Sequence, residues 1–270
     1  MGQFLIVQAS EHGATEAIFR NGLRAFERIA GLQPSGCLFS PRLAMASFPQ
    51  LLGAGAGLTV EPESGRRVCQ AGLCFYRGRA GTAALEELAL DLENGVSTLD
   101  DLEGIFALAS ARPGSGELTV ITDRLGSLHV YLAPLGPACL ITTSALVAAA
   151  VCGAGWDRQG CREFLATGSV FETRSLFRGV SKLAPARIYR FGDGSVRSIR
   201  RYWSVEAAMF DRAAEAGSVA TLAESLEDVM RTVAGNFHAS LLALTGGLDS
   251  RTATPWRYRT GTIWIISSAA

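Results

Sequence analysis

The sequence has no stretch long and apolar enough to span a membrane. A span needs roughly 18 or more apolar residues, and the nearest candidate, Ala145 to Ala154, is short and alanine-rich. Nor is there an excess of either charge. Twenty-five Lys+Arg stand against twenty-five Asp+Glu, a formal net charge of +0, which argues against a protein held to nucleic acid or an anionic membrane by bulk charge. Histidine is scarce: His12, His129 and His238 are isolated, without the paired spacing of a metal site, and ordinary packing or surface roles are expected. Six cysteines are present, yet none has C-x-x-C spacing; the closest pair, Cys69 and Cys74, has four residues between. A disulfide scaffold or zinc ribbon is therefore not expected, and buried free thiols in a reducing compartment are. Residues Met1 to Val7 lack the basic flank and long apolar core of a signal peptide, and Ile6 stands where myristoylation wants Ser or Thr. A cytoplasmic protein without nucleic-acid or membrane partners is expected.

What is present supports a packed core. The chain has 270 residues, 48% hydrophobic and 19% charged, enough for one large domain or two ordinary ones. Phe4 to Val7 reads as an apolar strand, and Ala14 to Ala30 carries Ile18, Phe19, Leu23, Phe26 and Ile29 near helical spacing. Leu51 to Gly57 reads as a flexible break, and Leu85 to Leu92 as a short helix. From Leu102 strands dominate. Leu118 to Thr122 and Leu128 to Leu132 flank a turn at Arg124 to Gly126, where an Asp123–Arg124 ion pair is expected to fix the loop. Arg187 to Phe191, Asp193-Gly194 and Ser195 to Ile199 form a hairpin pattern. The fold class expected for this region is an α+β sandwich.

The composition changes after Trp203. Tyr202 and Trp203 are expected to seat a domain boundary, dividing the chain into residues 1–204 and 205–270, with Asp211 to Ala216 as linker. Val219, Leu222, Leu226, Val229 and Val233 step by 3, 4, 3 and 4, one face of an amphipathic helix, with Ser218 as N-cap. That stripe is expected to be core. Ser240 to Leu244 then reads as a buried strand running into Thr245-Gly246-Gly247-Leu248-Asp249-Ser250.

A strand entering two glycines before a helix start suits an anion. The glycines let a ligand approach the main chain, and free amides at the helix N-terminus attract negative charge. Thr245 and Ser250 add hydroxyl donors. Asp249 would be repelled by phosphate, so holding the loop or a bound Mg²⁺ is its expected role.

Leu244 to Ser250 resembles the Ser-Gly-Gly-x-Asp-Ser pyrophosphate loop of the asparagine synthetase family, with Thr245 for the first Ser. Upstream, Leu102-Glu103-Gly104-Ile105-Phe106-Ala107 is similar to that family's Leu-x-Gly-x-Phe-Ala strand, and Asp123-Arg124-Leu125-Gly126 with Tyr131 to its Asp-Arg-x-Gly…Tyr turn. Phe177 to Pro185 and Arg201-Tyr202-Trp203 are similar to the segments that close the family's first domain. The resemblance implies an N-terminal-nucleophile (Ntn) hydrolase-like glutamine amidotransferase domain over 1–204, followed by the start of an α/β PP-loop (HUP-like) ATP-binding domain.

It also implies departures. The family's attacking cysteine follows the initiator Met and here is Gly2; Arg42 is a weak match to the arginine that binds the glutamine carboxylate, and a surface or structural role is expected of it instead. Arg77, in Phe75-Tyr76-Arg77, stands where the oxyanion-hole Asn is wanted, and no aspartate near Gly81-Thr82 matches the one that grips the glutamine amine. Glutamine hydrolysis is expected to be absent. The implied activity is ATP-dependent amide formation: Leu244 to Ser250 hold Mg-ATP, a small-molecule or peptide carboxylate is adenylated, and an amine displaces AMP. A glutamine-hydrolysing homologue and a non-catalytic remnant are the alternatives. Arg251 to Gly261 is a poor helix with Pro255 and three arginines, Thr262 to Ile266 a further strand, and the family pattern stops there. A truncated or frameshifted product without turnover of its own is the expectation.

Overall fold

The computed structural model describes residues 2–11, 13–49, 59–60, 65–94, 99–112, 114–206, 219–237, 240–244, 247 and 263–267. The chain divides into two compact units, Met1–Ser204 and Val205–Ala270.

In the first unit, strand β1 (Gln3–Ala9) is apolar without alternation because both of its faces are covered. Phe4 and Ile6 point one way, Leu5 and Val7 the other, as the two-residue period of a strand requires. Around β1 lies a six-stranded antiparallel sheet in the order β11 (Ser181–Lys182), β9 (Tyr131–Leu135), β10 (Ala138–Thr142), β1, β3 (Leu43–Phe48), β2 (Gly36–Phe39). A second antiparallel sheet runs β13 (Ser195–Arg201), β12 (Arg187–Gly192), β8 (Glu117–Thr122), β7 (Leu102–Arg112), β5 (Arg67–Tyr76), β4 (Thr59–Val60), with β6 (Arg79–Ala80) also on β5.

Phe4, Ile6, Met45 and Ile141 of the first sheet pack with Ala107, Ala109, Val120 and Tyr189 of the second to form the sandwich core. Helices cover the outer faces. Leu5, Val7 and Leu140 pack with Phe19 and Phe26 of α1 (Ala14–Ala30) and Val147 of α3 (Ala145–Cys152). Phe26 stacks on Phe48 at 4.0 Å between ring centroids. Val68, Leu108 and Ile121 pack with Ala84, Leu85 and Leu88 of α2 (Thr82–Glu93). Helix α4 (Arg158–Thr167) starts at Asp157, whose carboxylate accepts from the Gly160 amide at 2.6 Å. The result is a four-layer arrangement, helix–sheet–sheet–helix, the α+β sandwich the residue pattern predicts.

Gly104 shows what the Leu-x-Gly-x-Phe-Ala strand needs. Its φ is +111°, and an added Cβ would strike the Leu73 carbonyl oxygen of β5. Only glycine lets β7 lie this close to its neighbour there. The hairpin read at Asp193-Gly194 is present, with both turn residues at positive φ. The Leu118 to Leu132 segment departs from expectation: β8 belongs to the second sheet and β9 to the first. The turn between them is a crossover from one sheet to the other.

In the second unit, α5 (Val219–Asn236) forms where the spacing predicts it, and β14 (Ser240–Leu244) pairs in parallel with β15 (Ile263–Ser267). The apolar stripe is not core, however. Val219, Leu222 and Val229 are 86%, 71% and 53% exposed, and no residue of α5 is buried. Among the described residues, two five-residue strands offer a helix of this length too little sheet to bury its face. Ser218, Asp211 to Ala216, Leu51 to Gly57 and Arg251 to Gly261 lie outside the described residues. No described helix is long and apolar enough to cross a membrane.

Candidate functional site

Gly2 is buried at the mouth of β1, beside a cavity of about 330 Å³ lined by Gln3, Ser127, Leu128, His129, Tyr131 and Thr143. Two threonines hold this end of β1. Thr142 Oγ1 donates to the Phe4 carbonyl at 2.9 Å, and Thr143 Oγ1 accepts from the Phe4 amide at 3.2 Å.

The opposite wall is the crossover loop, and Asp123 sets its shape. The side chain is 1% exposed, and its Oδ1 accepts from the amides of Leu125 and Ser127 at 3.0 Å each, its Oδ2 from Leu128 at 2.9 Å. Its carbonyl accepts from Ala186 at 2.9 Å, tying the loop to the segment before β12. Fixing the loop is the role expected of Asp123, but not through Arg124. Arg124 instead donates to the Asp100 carbonyl at 2.5 Å. The loop amides converge on the buried carboxylate, and the buried Leu128 amide has to be satisfied there.

His129, read as isolated from the sequence, faces the cavity beside Tyr131, whose hydroxyl is 3.4 Å from Nδ1. Burial, reinforced by the charge of Lys182, holds its imidazole below the ordinary histidine range. Nothing in this cavity is a nucleophilic thiol. Gly2 has no side chain, and none of the six cysteines lines the cavity. Burial pushes the thiols of Cys74 and Cys139 up to about 12 and raises Cys69 as well, the reverse of an activated nucleophile.

Arg42 does not reach this site. Antiparallel register pairs Gln3 with Phe48 and Gln8 with Leu43, and the Ala9 amide donates to the Arg42 carbonyl. Arg42 thus stands at the far end of β1, roughly 23 Å from Gly2 at about 3.3 Å per residue. There its guanidinium lies 3.8 Å from the Asp193 carboxylate, over Gly116. At that same end Gln8 takes the Gly194 amide at 2.6 Å and donates to the Gly116 carbonyl at 3.4 Å, closing the sandwich. The strand direction thus sets Arg42 apart from the Gly2 cavity, in contacts that suit a surface or structural arginine.

Arg77 is also turned away. It and Gly78 form the tight turn between β5 and β6 with φ +49° and +72°, a turn that favours Asn-Gly. Its guanidinium reaches α2, 2.8 Å from Glu87 and 2.9 Å from Asp91, and lies 5.0 Å over the Tyr76 ring. No amide side chain is offered at this position.

In the second unit, Leu244 ends β14 and Gly247 is exposed in a bend. Thr245, Gly246, Leu248, Asp249 and Ser250 lie outside the described residues, as does any metal contact of Asp249. Among the described residues no group of three or more His, Cys, Asp or Glu stands together as a metal site.

Sequence reading missed Ser127, Thr143 and His129 as neighbours of Gly2. The signal was there in part: the Asp123…Tyr131 segment was singled out, but only the fold shows that it arches over the start of β1. A family model of the glutamine amidotransferase domain matches residues 76–203. No curated protein matches the chain. Among solved structures, glutamine phosphoribosylpyrophosphate amidotransferase from B. subtilis, complexed with ADP and GMP, is similar over 98% of this chain and 65% of its own, at 13% identity and TM-score 0.40. An allosteric regulatory enzyme of purine biosynthesis is similar over 98% of this chain and 58% of its own, at 12% identity and TM-score 0.40. The chain spans less than two thirds of the length of either. The match to the glutamine amidotransferase domain model thus falls within the first unit, whose two antiparallel sheets lie between helical layers.

Proposed function

We propose that the first unit is an amidotransferase fold that does not hydrolyse glutamine, and that the second unit is part of an ATP-binding domain serving ATP-dependent amide formation. The observation that carries the first half is Gly2 at the head of β1, in a cavity that no thiol lines. Hydrolysis by this class of fold needs an attacking atom at that place. Of the hydroxyls that line the cavity, Thr143 Oγ1 accepts from the Phe4 amide.

The second half is supported by the parallel pairing of β14 with β15 and by the segment that leaves β14 at Leu244. Parallel strands need a crossover connection, the arrangement in which α/β domains place their phosphate loops. In this reading Thr245 and Ser250 give hydroxyl bonds, Gly246 and Gly247 give main-chain amides, and Asp249 holds Mg²⁺. ATP would supply the activation of a carboxylate, which an amine then attacks.

Two measurements on the purified full chain test the two halves separately. Glutamate release from glutamine should stay at the buffer rate; release proportional to protein overturns the first half. Calorimetric titration with Mg-ATP should show saturable binding that Gly246→Val abolishes; no binding by the unaltered chain, or equal binding by the variant, overturns the second.

A further inference from the structure

A second cavity, of about 350 Å³, opens between β9, the start of α3 and the end of α4, and shares His129 and Tyr131 with the Gly2 cavity as a common wall. Its charged lining is of one sign. Arg174 and Lys182 face it beside the His129 imidazole, and no Asp or Glu lines it. Arg174 gives Nη1 to Glu163 at 2.7 Å, which orients the guanidinium from behind. Lys182 gives one proton of its ammonium to the Val170 carbonyl at 2.5 Å, leaving two to donate. Phe164, Val170 and Leu176 supply apolar wall.

From this we infer that the cavity between β9, α3 and α4 binds a small organic carboxylate carrying an apolar body, with Lys182 and Arg174 on the carboxylate and Phe164 and Leu176 on the body. The size suits a small molecule and nothing larger. A carboxylate with an apolar portion fits better than inorganic phosphate, because the apolar walls would gain nothing from a fully hydrated ion. Burial pushes the Lys182 amine below its ordinary value while the Glu163 charge behind the wall holds it up, and an anion in the cavity would favour the ammonium further. This inference is independent of the reading of the second unit.

Benzoate serves as the probe, with benzamide and inorganic phosphate as controls, each titrated into the full chain at constant ionic strength. The ring protons of His129, identified by their loss in His129→Gln, report occupancy because His129 lines the cavity. Benzoate should shift them saturably in the millimolar range, ordinary for so small a ligand. Benzamide, which lacks the charge, and phosphate, which lacks the apolar body, should each bind at least about tenfold more weakly. Lys182→Met, which keeps the aliphatic stem, should weaken benzoate by about tenfold or more, and Lys182→Arg should restore most of it. No saturable shift, unchanged affinity in Lys182→Met, or phosphate binding as tightly as benzoate would each overturn the inference. Should Lys182→Met fail to fold, calorimetry on His129→Gln decides: a loss of about threefold supports the site, and unchanged affinity overturns it.

Discussion

Replacing Asp123 by alanine removes the acceptor of three backbone amides at once, those of Leu125, Ser127 and Leu128. A hydrogen bond to a charged acceptor contributes about 1.5–3 kcal/mol, and a buried donor left unpaired costs about 1–3 kcal/mol. The full sum overstates the loss, because Leu125 and Ser127 are exposed and water takes over their amides, whereas Leu128 is buried. A destabilisation of about 3–4 kcal/mol is expected for Asp123→Ala. Asp123→Asn keeps the shape and one oxygen but turns an NH₂ toward a donor, so about half that loss is expected. Urea unfolding of the full chain, followed by far-UV circular dichroism, reads both. With a slope of about 2–3 kcal/mol/M, the alanine variant should lower the midpoint by about 1–2 M at unchanged slope. An alanine variant within about 0.5 kcal/mol of the parent would refute the claim that this carboxylate builds the cavity wall, as would an asparagine variant as damaged as alanine.

Gly104→Ala should destabilise by about 3 kcal/mol or more, since the new Cβ collides with the Leu73 carbonyl at a backbone angle closed to alanine; Gly136→Ala, also at positive φ but facing open space, should cost only about 1 kcal/mol in the same melt. Stability should fall as pH rises above about 8.5, the ordinary thiol value. Cys74 and Cys139 are pushed up to about 12, so the native state holds protons that the unfolded chain releases. The slope is at most about 1.4 kcal/mol per pH unit per thiol, with Tyr76 and Tyr202, also raised, adding the same sign at higher pH. Urea midpoints between about pH 8 and pH 11 measure it, and a flat profile contradicts the burial of these groups. Arg42→Ala should lower stability by less than about 1 kcal/mol, because its pair with Asp193 is long and half exposed; a larger loss in the same unfolding assay would assign Arg42 more than this surface contact.

Much of the first unit was legible because each element obeys one period. Helix α1 carries its apolar residues at helical spacing and spans Ala14–Ala30 as read, and Asp193-Gly194 announces its hairpin. What local pattern does not carry is which sheet a strand joins. Leu118 to Thr122 and Tyr131 to Leu135 look like hairpin partners along the chain, yet they pair in different sheets, and that crossover brings Ser127 and His129 over Gly2. Strand direction is equally non-local: the antiparallel β3 carries Arg42 to the end of β1 away from Gly2. The absence of the thiol was legible from Gly2 alone, since no fold supplies a side chain to glycine. The stripe of α5 predicted a helix correctly and its burial incorrectly, because amphipathic spacing reports a face that seeks cover, whereas Val219 and Leu222 are exposed.

The central proposal, that the first unit is an amidotransferase fold without its attacking atom, is tested most directly with glutamine labelled by ¹⁵N at the side-chain amide. Nitrogen NMR of the label in the presence of the full chain should show the amide signal unchanged and no ammonium beyond the protein-free control. It should show the same for Gly2→Cys, because Arg42 stands at the far end of β1 and Arg77 is engaged with α2. Ammonium growing in proportion to the unaltered protein would contradict the account.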